Sequence, residues 1–103
     1  MIFMNGTKLL IDIAIKKPGR RAREFALSEL VDTKSCRAIQ YVACNTKFSN
    51  TARQALMCLY AMDAIAELKS ISKRARSKET RIYATTLVNE YEMNKDAKIM
   101  KFE

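Results

Sequence analysis

The chain has no histidine, only two glycines, one proline and an odd number of cysteines, three. Each scarcity removes a class of protein. Without histidine the usual general base at neutral pH is missing, and no serine or cysteine has an evident base partner. A structural zinc site lacks its ligands, because Cys36, Cys44 and Cys58 form no Cys-x-x-Cys pair and no imidazole can complete a set. Gly6 and Gly19 cannot make a glycine-rich phosphate loop. Nothing gathers Asp12, Asp63 and Glu67 into a metal-dependent nuclease site. The sequence reads as a non-enzyme with no metal and no cofactor. The three thiols sit among apolar residues, which predicts small, reduced core side chains.

Sheets joined by tight turns use more glycine and proline than this chain has, and good helix formers are plentiful. With 103 residues and a hydrophobic fraction of 49%, the chain fits one domain, 1–103, with a real core. The expected fold is all-α, a compact bundle of about five helices around a long central one. That central helix is read over Ser49 to Arg76: apolar on every side from Ala55 to Met62, then narrowed to a stripe of Ala61, Ala64, Ile65, Leu68 and Ile71. The other helices are expected over Arg20–Val31, Cys36–Cys44 and Glu79–Asn94, the last packed antiparallel against the central one. Ser35, Ser49 or Asn50, and Ser77 are the capping residues. No internal repeat stands out.

Two readings remain for residues 1–17. Leu9, Ile11, Ile13 and Ile15 alternate with Lys8, Leu10, Asp12 and Ala14, as in a strand, and Asn5-Gly6 resembles a hairpin turn. The rival, favoured in an otherwise helical chain, is a helix capped by Thr7. The tail from Lys95 continues the last helix or frays. The apolar N-terminus has no basic leader, is interrupted by Asp12 and lacks a small-residue cleavage site, so it is not read as a signal peptide. The longest uncharged apolar run, Gln54 to Met62, is less than half the ~20 residues of a membrane span. A cytoplasmic protein with no membrane partner is expected.

What the chain has in excess is positive charge, +8 net from 19 basic and 11 acidic residues. The charge is clustered at helix boundaries. Lys16, Lys17, Arg20, Arg21 and Arg23 have no acid between them. Lys73, Arg74, Arg76, Lys78 and Arg81 have only Glu79 as a counter-charge. Such clusters suit phosphate oxygens, so nucleic acid, DNA or RNA, is the expected partner and these ten residues the expected contacts. A helix-turn-helix over Arg23–Asn45 would offer Arg37, Gln40 and Asn45 to bases. Tyr41, Tyr60, Tyr83 and Tyr91 are candidate stacking platforms, although tyrosines at helical spacing usually belong to a core. The alternative function is a module that docks on a larger protein, an acidic one by charge, and modulates it. That module would use the Met-rich helix and the apolar ends Met1–Met4 and Ile99–Phe102. Self-association as a homo-oligomer is the third reading.

Overall fold

Two turns built without glycine decide the architecture. The structure, a computed structural model, describes the backbone of residues 5–101 and the side chains of residues 6–95. Six helices follow one another: α1 Asn5–Lys16, α2 Arg20–Asp32, α3 Cys36–Asn45, α4 Ser49–Ala61, α5 Ile65–Arg74 and α6 Lys78–Lys101. The all-α expectation holds, with six helices in place of five and no strand among the described residues.

The long central helix does not exist as one element. It breaks at Met62-Asp63-Ala64, where Asp63 takes φ 57°. The Asp63 and Ala64 amides donate back to the carbonyls of Tyr60 (3.1 Å) and Leu59 (2.9 Å). Thr33-Lys34-Ser35 makes the same turn: Lys34 has φ 54°, and the Lys34 and Ser35 amides donate to Val31 and Leu30, both at 2.9 Å. This paired pattern is a Schellman stop, which ordinarily carries glycine at the left-handed position. Asp tolerates that conformation better than most residues, and Lys tolerates it at a cost. Lys34→Gly should therefore raise stability by about 1 kcal/mol, read from denaturant midpoints; Lys34→Val should lower it by at least as much.

The two turns are related by a repeat. Arg20, Ser49 and Lys78 open α2, α4 and α6 at intervals of 29 residues, and Cys36 and Ile65 open α3 and α5 at the same interval. Residues 7–35, 36–64 and 65–93 thus form three antiparallel helical hairpins, α1/α2, α3/α4 and α5/α6. They stack so that α1, α3 and α5 make one layer and α2, α4 and α6 the other. Equivalent positions carry the core. Ala26, Ala55 and Ala84 are each 0% exposed, which lets neighbouring helices approach closely. Leu30 and Leu59 are buried with Val88 packed against them, and Ile39 and Leu68 are buried with Leu10 alongside.

The repeat accounts for three features: the helical form of residues 5–16, favoured over a strand in the sequence, the incomplete burial of the Ala55–Met62 run, and the polar end of the stack. Residues 5–16 are helical because α1 is the counterpart of α3 and α5; the alternation of isoleucines is satisfied by a helix that buries Ile11 and Ala14 while Ile13 and Ile15 are half-buried. The Ala55–Met62 run is not covered on all sides: Leu56 and Leu59 face the core and Met57 faces out. At the end of the stack Thr85, exposed, replaces the buried Leu27 and Leu56 of the earlier hairpins. A polar outer face closes a stack of repeats. The first hairpin exposes Leu9 and Phe25, 62% and 63%, and α6 exposes Ile82 and Met93.

Candidate nucleic-acid interface

Each hairpin has one turn that joins its two antiparallel helices: 17–19, 46–48 and 75–77. Because the hairpins stack in register, these three turns lie along one edge. Contacts cross between neighbours. Arg23, just past the first turn, donates to Thr51 Oγ1 beyond the second (2.7 Å), and the Arg76 amide of the third donates to the Cys44 carbonyl before the second (3.1 Å). Packed helix axes lie roughly 8–10 Å apart, which puts the outer turns roughly 16–20 Å from each other. The two short dimensions of the molecule, 27 and 26 Å, accommodate three such layers.

Both basic clusters fall on this edge. Lys16, Lys17, Arg20 and Arg21 surround the first turn and are exposed; Lys73, Arg74, Arg76 and Lys78 surround the third and are exposed. Their equivalence is positional: Lys16 matches Arg74, and Arg20 matches Lys78, each pair 58 residues apart, twice the repeat interval. Acids are few there. Glu24 accepts from Arg20 Nε at 2.8 Å with both side chains well exposed, an ion pair that contributes little. Lys47 belongs to the same edge through the middle turn, where it lies 5.5 Å from the Phe48 ring. Sequence reasoning missed it, and the repeat was the signal that would have found it.

Two of the ten expected contacts serve another purpose. Arg23 is 5% exposed. Its guanidinium donates to the Lys17 and Pro18 carbonyls at 2.7 and 2.8 Å, as well as to Thr51, and lies 3.7 Å over the Phe48 ring. Arg81, at the equivalent position of the third hairpin, donates to the Ala75 and Arg76 carbonyls at 2.6 and 3.2 Å. Both staple the turn behind them. A turn between helices leaves carbonyls without helical partners, and a guanidinium with several fixed donors satisfies two at once. Arg23 is not available to a phosphate.

The helix-turn-helix reading gives way as well. A recognition helix must stand out from the surface to enter a major groove. Here α3 is flanked by α1 and α5 in a continuous layer. Gln40 Nε2 donates to Ser70 Oγ across to α5 (3.0 Å), and Asn45 Nδ2 donates to the Tyr41 carbonyl (2.9 Å). Arg37, Gln40, Glu67, Ser70 and Arg74 line a shallow groove between α3 and α5.

Three tyrosines are occupied by packing. Tyr60 and Tyr91 meet edge to face with centroids 6.5 Å apart. Tyr83 donates to Met57 Sδ at 3.4 Å and lies under the Arg53 guanidinium at 5.3 Å. Tyr41 is exposed, on α3 rather than at the basic edge. The three cysteines are unpaired and partly buried. Burial pushes each thiol above its ordinary value, helped at Cys36 by the Glu67 carboxylate and opposed at Cys44 by Arg74. They are protonated and weakly nucleophilic at neutral pH.

Among the described residues no group of three or more His, Cys, Asp or Glu could hold a metal, and no helix is long and apolar enough to cross a membrane. The side chains of the apolar ends, Met1–Met4 and Ile99–Phe102, lie outside the described residues. Comparison with known proteins finds no matching family model, no matching curated protein and no matching solved structure.

Proposed function

We propose that the protein is a non-catalytic nucleic-acid-binding factor that holds the phosphate backbone along the edge formed by its inter-helix turns. The observation that carries this reading is the alignment of two clusters, Lys16, Lys17, Arg20, Arg21 and Lys73, Arg74, Arg76, Lys78, on one edge of the stack. Flexible cations beside helix termini reach phosphate oxygens, and releasing condensed counterions drives the association. A titration of labelled nucleic acid at several salt concentrations tests it. With six to eight phosphate contacts, log K should fall against log[salt] with a slope of about −5 to −7. A slope near −1 would leave only generic attraction.

The exposed Leu9 and Phe25 of the first hairpin favour a second reading, docking on a protein partner or a second copy of the chain. Under that reading the chain associates in a sedimentation experiment, and Phe25→Glu abolishes that association and leaves polymer binding untouched. Association unchanged by Phe25→Glu would reject it.

A further inference from the structure

The distribution of charge along the edge carries more than its sign, and its meaning rests on the phosphate-binding role just proposed. The outer turns have four exposed cations each, while the middle turn has one, Lys47, with Arg53 exposed one helical turn further along α4 and lining a groove with Arg20. Beside Lys47, Thr46 is buried and Phe48 is half-buried beneath Arg23, and the exposed Ser49 and Asn50 that follow carry no charge. Charge is therefore strong, weak, strong, with the strong ends roughly 16–20 Å apart. A track that follows one strand meets a phosphate at every step, because successive phosphates advance by only roughly 3.4 Å along a duplex. Such a track would carry cations at the middle turn too. Two phosphate rows on either side of a groove roughly 12 Å wide present the same alternation, charge at the two rims and none between, and flexible lysine and arginine side chains reaching inward take up the difference in span.

The aromatic inventory agrees. Binding a single strand relies on exposed rings beside the cations, so that unstacked bases have a platform. Among the described residues the rings near this edge are already engaged: Phe48 is covered by Arg23 at 3.7 Å, and Tyr83, which lines a groove with Arg20, donates to Met57 and lies under Arg53. Base reading is equally poorly served. Gln40 and Asn45 donate to Ser70 and to the Tyr41 carbonyl, and no helix protrudes. Asn50, exposed in the first turn of α4, is the amide that remains near the edge, and one amide reads at most one base pair.

We infer that the ligand is a nucleic-acid duplex, held without regard to sequence, with the two outer turns each gripping the phosphates of one strand and the middle turn bridging the groove between them. The test is fluorescence anisotropy with a labelled duplex, each of its single strands, and a second duplex of scrambled sequence, in about 0.1 M salt. The duplex should bind at least about tenfold tighter than either strand, and the two duplexes within about twofold of each other. Lys47→Ala should change duplex affinity by less than about twofold. The triple variants Lys16→Ala/Lys17→Ala/Arg21→Ala and Lys73→Ala/Arg74→Ala/Arg76→Ala should each lower it by about tenfold or more, with circular dichroism confirming the fold. Single strands bound as tightly as duplex, or Lys47→Ala as costly as an outer triple, overturns the straddling arrangement and leaves phosphate binding standing. A strong preference between the two duplexes overturns its indifference to sequence. Failure to bind any polymer removes both readings.

Discussion

Replacing Lys17, Arg21, Arg74 and Arg76 together by alanine should weaken nucleic-acid binding by about 10²-fold or more in low salt and flatten the salt dependence by three to four units of slope, about 0.9 per lost phosphate contact. The fold should be unaffected. All four side chains are exposed, and none makes a hydrogen bond or ion pair among the described residues; the bonds at Lys17 and Arg76 are made by their backbone groups. Removing charge there even relieves self-repulsion in a chain of net charge +8. The measurement is a titration at three or more salt concentrations, alongside thermal unfolding. A variant that binds as tightly as the parent with an unchanged slope would take phosphate contact away from this edge.

Arg23→Ala should do the opposite. It removes donors from three acceptors, the Lys17 and Pro18 carbonyls and Thr51 Oγ1, and uncovers the Phe48 ring. Hydrogen bonds from a charged group contribute about 1.5–3 kcal/mol each, and a cation over a ring about 0.5–2. Against this, alanine relieves the cost of holding a guanidinium out of water. A net loss near 3 kcal/mol results, or about 12–24 °C in the unfolding midpoint of a domain this size. Arg23→Lys should recover little, because an ammonium cannot span acceptors set out for a planar fork. Arg81→Ala, with two carbonyl partners in a half-buried site, should cost about half as much. Thermal unfolding followed by circular dichroism decides it; a midpoint within a few degrees of the parent would make Arg23 an ordinary surface cation.

These two results divide residues that look alike. Written as sequence, Arg20, Arg21 and Arg23 are one basic run. The information that separates them was present: Arg23 lies three, four and seven residues before Ala26, Leu27 and Leu30, on the buried face of α2. The density of charge hides that periodicity. Helix positions were otherwise legible, with Arg20–Asp32 and Cys36–Asn45 within a residue of their expected ends. The break after Ala61 was not, because turns are read from glycine and proline, and here aspartate takes the left-handed position. The repeat escaped for a related reason. Its strictest position is an alanine, Ala26, Ala55 and Ala84, a residue common enough to hide, and the outward positions diverge because only the middle hairpin is covered on both sides.

The Schellman turns at 33–35 and 62–64 are also seams. Each closes one hairpin and opens the next with the same pair of bonds back to the last turn of the preceding helix, so the chain on either side meets it in the same geometry. A further copy of residues 36–64 spliced between Ser35 and Cys36 would present the same faces upward and downward as the hairpin it displaces. The protein is in this sense a ruler with three divisions. Its length, and with it the gap between its two charged ends, is set by counting whole units, so each added unit would widen the span by one helix diameter and change which polyanion fits.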